Sequence, residues 1–299
     1  SSRNKTLNAR QRREVIDEQK NTLSAGSSHR SPDNHALLSI RGLRVGYPMQ
    51  DGSIHEVVQG VDLDVKRGEV HGLVGESGSG KSQIAFSTLG ILPREALILG
   101  GTVTFDGEDL LADFSRMKDV RGRRIAYVPQ EPMSNLDPSQ TIGAQLRQGL
   151  RAVTNRTRAE ADEHLLALMD RVGIQNSRRV FGLYPHQISG GMAQRVLICG
   201  AIAADPDLIV ADEPTTALDV TVQAEVLELL RELRDERGLA MILVTHNLGV
   251  VADLCDTVSV MRNGRIVEVS DAEALFTEPG ADYTKELLAS ARRVELAGA

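Results

Sequence analysis

The chain has 299 residues, with 34 Lys and Arg against 41 Asp and Glu, a net charge of −7; 41% of residues are hydrophobic, 25% charged and 3% aromatic. These are the proportions of a soluble globular protein with a proper core, and a net acidic chain is a poor general nucleic-acid binder, so no nucleic-acid partner is expected. Two cysteines, Cys199 and Cys255, are too few for a disulfide framework or a structural zinc site, and no stretch approaches the about 18–20 uninterrupted apolar residues of a membrane span.

Residues 1–35 carry seven basic and four acidic residues among many Ser and Asn. A disordered polar extension of net charge +3 is expected there, leaving −10 on residues 36–299. The start has no apolar h-region, so no signal peptide is expected. Leu38, Ile40, Leu43 and Val45 read as a first strand, and Val57 to Val65 as a second that ends in the turn Lys66-Arg67-Gly68. Glu69 to Val74 is a short apolar strand running into glycines, and Gln83 to Leu92 reads as a helix stopped by Pro93. Gly101 to Phe105 and Ile125 to Val128 are further short strands. The middle is helical. Thr157-x-x-Glu160 forms a capping box, and Ala161, Leu165, Leu168, Met169 and Val172 follow on one helical face. Leu208 to Ala211 and Met241 to Val244 are continuous apolar runs, as expected of parallel strands covered on both faces. Between them Val222, Val226, Leu229, Leu230 and Leu233 make an amphipathic helix. The end reads as two short strands (Thr257 to Met261, Arg265 to Ser270) and two short helices, the first capped by Ser270-x-x-Glu273. The class is α/β with a helical insertion.

The run Gly75-Glu76-Ser77-Gly78-Ser79-Gly80-Lys81-Ser82 fits G-x-x-x-x-G-K-[ST] between a strand and a helix. Glycines let successive N–H groups curl around phosphate oxygens, and the helix N-terminus points its partial positive charge at the same anion. Lys81 is expected against the β and γ phosphates, with the Ser82 hydroxyl on Mg²⁺. Downstream, Leu208 to Ala211 ends in two carboxylates. Asp212 is placed to hold the Mg²⁺ shell, and Glu213, one residue on, to take a proton from an attacking water.

Between these motifs lies Ile188-Ser189-Gly190-Gly191-Met192-Ala193-Gln194-Arg195. Here the chain closely resembles the ATP-binding cassette (ABC) ATPases, whose signature LSGGQ precedes the second acidic motif at about this spacing. The resemblance covers about residues 37–290. It implies a P-loop NTPase (RecA-like) core with an antiparallel β-subdomain over residues 36–290, a helical subdomain inserted at about 136–204, and a tail at 291–299. It makes Ser189, Gly190, Gly191 and Met192 the signature facing ATP on an opposite subunit, and Gln130 the Q-loop glutamine that touches Mg²⁺ or the attacking water. It also makes Asp219, in Ala217-Leu218-Asp219, the D-loop residue, and His246 the switch histidine on the γ-phosphate. Tyr47, upstream of the phosphate loop, corresponds to the aromatic that stacks on adenine.

Several segments further resemble the ATPases of dipeptide, oligopeptide and nickel importers: the phosphate loop itself, Pro132 through Pro138, Asp212 through Val222, and Thr245 through Val251. Met192 in place of the signature Gln is typical of one member of their heterodimeric pairs. Tyr283-Thr284-x-x-Leu287-Leu288 resembles their His-Pro-Tyr-Thr-x-x-Leu-Leu, although Ala281-Asp282 replaces His-Pro and Asn247 replaces the usual Asp. The resemblance implies a peripheral ATPase on the cytoplasmic face of the cell membrane. Its partners would be a second, paralogous ATPase subunit, two permease subunits and, indirectly, an extracytoplasmic solute-binding protein, with peptides as the cargo. Leu136 and Pro138 would touch the permease. Many relatives carry clustered cysteines for an iron–sulfur cluster, whereas Cys199 and Cys255 cannot supply four thiolates, so no cluster is expected. The alternatives are a soluble ABC ATPase not coupled to a permease, and a cassette that binds nucleotide without hydrolysis. Single-cassette length disfavours the first; Lys81, Asp212, Glu213 and His246 disfavour the second.

Overall fold

The structure, a computed structural model, describes residues 36–112, 115–215 and 218–297; the extension expected at 1–35 lies outside these. The chain opens with two long strands, β1 (Ala36–Pro48) and β2 (Ile54–Lys66), then β3 (Val70–Val74) and helix α1 (Lys81–Leu89). Next come β4 (Leu97–Phe105), β5 (Glu108–Asp109), the single turn α2 (Met117–Val120) and β6 (Ile125–Val128). Helices α3 (Ile142–Val153), α4 (Arg158–Arg171), α5 (Ser177–Phe181) and α6 (Gly190–Ile202) follow. Then β7 (Leu208–Asp212), α7 (Val220–Arg237), β8 (Ala240–Thr245) and α8 (Leu248–Leu254) alternate. Strands β9 (Thr257–Arg262) and β10 (Arg265–Asp271) and helices α9 (Ala272–Thr277) and α10 (Asp282–Ala297) complete the chain.

One sheet is antiparallel in the order β2-β1-β4-β5; the other runs β10-β9-β3-β8-β7-β6, parallel except for β10 at its edge. Every residue of β3, β7 and β8 is buried, as uninterrupted apolar strands demand when both sheet faces are covered. Leu38, Val58, Val103, Leu73 and Val244 pack the antiparallel sheet and α1 on one face. Helices α3 to α7 cover the other through Ile142, Leu165, Val196, Leu230 and Ile209. The predicted capping box is present: the Thr157 side chain accepts from the Glu160 N–H, and Glu160 accepts from the Thr157 N–H at 2.7 Å.

Several predicted boundaries shift. Helix α1 ends at Gly90, three residues before Pro93; there the chain turns left-handed (φ 62) and its N–H closes the last turn on Phe86 and Ser87 carbonyls. Asp271, not Ser270, precedes α9, and it makes no side-chain cap. The last helix is long, 16 residues, and runs unbroken past residue 290.

The turn into β3 is held electrostatically. Glu69 accepts the Lys66 N–H at 2.7 Å and lies 3.7 Å from His71 Nδ1. Burial pushes its carboxyl pKa up, yet the neighbouring His71 ring and Thr257 and the bond from the Lys66 N–H outweigh it and hold the group at about 2. A depressed folded pKa contributes stability that is present above the unfolded value and is lost as pH falls through the folded one. Glu69→Gln is therefore expected to lower stability by about 1–2 kcal/mol at neutral pH. The gap to the parent should close between the ordinary carboxyl value of 4.5 and about 2. Thermal melts across pH test this, and a gap that does not change with pH would refute it.

Candidate functional site

The carboxyl ends of β3, β8 and β7 lie level, with Val74 opposite Thr245 and Val244 opposite Asp212. Open α/β sheets bind ligands at such an edge. The phosphate-loop segment leaves β3 here. Gly75 and Gly80 have φ of 151 and 105, which a side chain would strain. A Cβ on Gly75 would also lie 2.2 Å from the Met261 carbonyl oxygen, and one on Gly80 2.5 Å from that of Val57. Glycine thus lets the loop sit against β9 and β2. Glu76, Ser77 and Gly78 are exposed at its crest, while Ser79 and Lys81 are buried. Lys81 Nζ donates to the carbonyls of Gly75 (2.8 Å) and Glu76 (2.9 Å). Burial pushes its ammonium pKa down, against the charges of Glu213, Asp212 and Glu76.

Asp212 ends β7 and is buried. Burial and the neighbouring charge of Glu213 raise its carboxyl pKa, against hydrogen bonds from Ser82 and Tyr127 and the charge of Lys81. Glu213 follows in the left-handed region, φ 46, a conformation that costs a non-glycine residue about 1–3 kcal/mol. Its N–H donates to the Val244 carbonyl at 2.8 Å, so β8 fixes this turn. One carboxylate oxygen of Glu213 lies 2.7 Å from His246 Nδ1 and the other 3.5 Å from Gln130 Nε2. Residues following β6, β7 and β8 therefore converge on one carboxylate, beside the cation of the phosphate loop. Such a carboxylate can accept a proton from a water. Tyr47, near the end of β1, donates its hydroxyl to Gln83 Oε1 at 2.8 Å in the first turn of α1, which ties the ring to the helix that follows the loop.

A family model for ABC transporters matches residues 58–216. The chain belongs to the ABC transporter family. It is 44% identical over 262 residues to the probable peptide ABC transporter ATP-binding protein of Sinorhizobium fredii, spanning 87% of this chain and 78% of the relative. It is 40% identical over 266 residues to the dipeptide transport ATP-binding protein of Bacillus subtilis, spanning 88% and 79%. Its fold matches, at TM-score 0.70 and 26% identity, a dimeric ATP-binding cassette in a post-hydrolysis state bound to ADP and Pi, over 79% of this chain and 98% of that one. As a family member it hydrolyses ATP to power transport.

The residues expected to form the signature lie at the start of α6. Ser189 caps α6, its Oγ accepting the Met192 N–H at 3.2 Å. Gly190 and Gly191 open the helix, and a Cβ on Gly191 would meet Val222 of α7 at 2.6 Å. Asp219 caps α7 by accepting the Val222 N–H at 3.0 Å; Ala217, before it, lies outside the described residues. The first turns of α6 and α7 thus lie together, Gly191 against Val222. Cys199 and Cys255 are held as neutral thiols, since burial pushes both to about 12. Leu136 corrects an expectation: it is 7% exposed and belongs to the core under α3, because its side chain turns inward where the 3-10 turn Met133–Asn135 ends.

Sequence reasoning missed Tyr127. It hydrogen-bonds to Asp212, and burial first, then the charge of Asp212, pushes its hydroxyl up to about 12. The only signal was a hydroxyl-bearing ring within the apolar run Ile125 to Val128.

Proposed function

We propose that this ABC cassette is the ATP-hydrolysing subunit of a bacterial peptide importer, peripheral on the cytoplasmic face of the cell membrane. It pairs there with a second, paralogous ATPase subunit on two permease subunits that receive solute from an extracytoplasmic binding protein. The observation that carries the reading is Glu213, held between His246 and Gln130 beside the buried Lys81. Peptide cargo is supported by the names of the relatives above. In this reading Glu213 takes the proton of the attacking water, His246 and Lys81 hold the γ-phosphate, and Gln130 orients the water. The loop N–H groups of residues 75–82 cradle the phosphates, and Tyr47 stacks on adenine. Ser189, Gly190, Gly191 and Met192 meet the ATP of the opposite subunit, with Asp219 between the sites. Val220, 85% exposed beside Asp219, supports a face covered by that subunit.

The donor set fits Mg²⁺. The Ser82 hydroxyl is hydrogen-bonded to the Asp212 carboxylate, and hard oxygen donors with one carboxylate suit an ion that takes its other ligands from phosphates and water. Ser82, Asp212 and Gln130 would hold it. When bound, the ion neutralises charge on the phosphates.

The segment Pro132 to Pro138 remains the proposed permease surface, with exposed Pro138 kept as a contact and Met133 in place of Leu136. Asp137 is committed to its own turn, accepting from Ser139 Oγ (2.6 Å) and Gln140 Nε2 (2.9 Å), so reversing its charge would break the turn. Met133 is apolar and 41% exposed. In the assembly purified from membranes, Met133→Asp should cut peptide transport by about tenfold or more, because a charge buried unpaired at an interface is costly, while basal ATP hydrolysis persists. Full transport in the variant would remove this surface. Absence of co-purifying membrane proteins would favour the soluble ATPase instead.

A further inference from the structure

The motif Tyr283-Thr284-x-x-Leu287-Leu288 has no part in the site as described above, yet the fold brings it there. Tyr283, in the first turn of α10, is 6% exposed and packs in a cluster with Val74, the residue before the phosphate loop, and with Val260 and Leu288. Its hydroxyl accepts the N–H of Glu76 at 3.4 Å, across 207 residues of sequence. Its ring lies under the Arg262 guanidinium, 4.5 Å from the ring centroid. Arg262 follows Met261, whose carbonyl is the one that a Cβ on Gly75 would strike.

These contacts meet on one peptide unit. The N–H of the Gly75–Glu76 peptide goes to Tyr283, and the C=O of that same peptide accepts from Lys81 Nζ at 2.8 Å. A peptide group is planar, so fixing the direction of its N–H fixes the direction of its C=O. A glycine at φ 151 cannot do this alone, because its backbone is the most permissive in the chain. Lys81 has three donors. Two are spent on the Gly75 and Glu76 carbonyls, and Ser79 Oγ lies at a long 3.5 Å.

We propose that Tyr283 is a positioning residue for the phosphate loop: its hydroxyl orients the Gly75–Glu76 peptide whose carbonyl aims Lys81, so the C-terminal helix α10 straps the nucleotide site in its binding-ready form. The proposal rests on reading residues 75–82 as the ATP site. A loop already set in its bound geometry loses less freedom on binding, so the hydroxyl acts on affinity rather than on the chemical step.

The test is Tyr283→Phe in the full chain with its partner subunits, beside Lys81→Ala. Phenylalanine keeps the ring, its burial and the Arg262 contact, and removes only the hydroxyl, with its bonds to the Glu76 N–H and side chain. The expected result is a KM for ATP raised about fivefold, the worth of one hydrogen bond, with kcat at saturating ATP and the melting temperature unchanged. Hydrogen exchange at the Glu76 amide, followed without nucleotide, should speed up. An unchanged KM with unchanged exchange would overturn the strap, as would a loss of activity that tracks a fall in melting temperature. If Lys81→Ala retains full ATP affinity, the site reading itself fails; if it loses affinity while Tyr283→Phe does not, only the strap fails.

Discussion

Glu213→Gln is expected to leave ATP binding intact and to lower hydrolysis by about 10²–10⁴-fold, the usual worth of a positioned general base. The substitution is nearly isosteric, so the left-handed turn at residue 213 and its N–H bond to Val244 survive. The amide can still meet His246 and Gln130, which now lie 2.7 and 3.5 Å from the two carboxylate oxygens. What it cannot do is accept a proton from water. Lys81 keeps its bonds to the Gly75 and Glu76 carbonyls, so the loop geometry is retained. Two measurements separate the steps: nucleotide titration for binding, and steady-state phosphate release for turnover. Unchanged turnover would remove Glu213 from the role, and lost binding would make it a structural residue of the loop instead.

The difference between what the sequence shows and what it hides follows the range of the interactions. Strands β3, β7 and β8 are legible because burial on both faces forces an unbroken apolar run. The groups at their carboxyl ends, Lys81, Glu213 and His246, are legible because each follows its strand within a few residues. Gln130 follows β6 in the same way, so four local motifs suffice to assemble one site. The end of α1 at Gly90 was masked by Pro93: a left-handed glycine can stop a helix as surely as a proline, and the glycine came first. Ser270 sits at the spacing of a capping box, but it stays in β10, and Asp271 opens the helix. Leu136 reads as a surface contact because its segment follows the Q-loop, where the resemblance puts the permease; only the packing of α3 shows that its side chain is covered. Tyr127 and Tyr283 were out of reach for a different reason. Each acts through one hydroxyl on a group far away in sequence, and neither leaves a periodic trace. The C-terminal motif was visible as a motif, yet its partner on the phosphate loop could be found only in three dimensions.

The same corner of the fold yields the second large effect. Gly75→Ala is expected to abolish ATP binding, with affinity falling by more than about 100-fold. Two penalties combine. The backbone at φ 151 is a region that L residues rarely adopt, costing about 1–3 kcal/mol. The new methyl would also stand 2.2 Å from the Met261 carbonyl oxygen, a backbone atom of β9 that cannot swing aside like a side chain. Either β9 shifts or the 75–76 peptide turns, and a turned peptide carries its carbonyl away from Lys81 and its N–H away from Tyr283. The loop loses one carbonyl anchor of its cation and its tie to α10 at once. Gly42→Ala is the control for left-handed strain outside the loop. It too has a left-handed φ, 55, but its Cβ would meet nothing within 4 Å, and it lies in β1 away from the loop. That variant should lose about 1 kcal/mol of stability, seen as a small fall in melting temperature, with ATP affinity intact. Nucleotide titration and thermal melts of both variants make the comparison. Equal losses of affinity would mean that the effect is not local to the loop, while retained affinity in Gly75→Ala would mean that β9 yields and the loop does not depend on this contact.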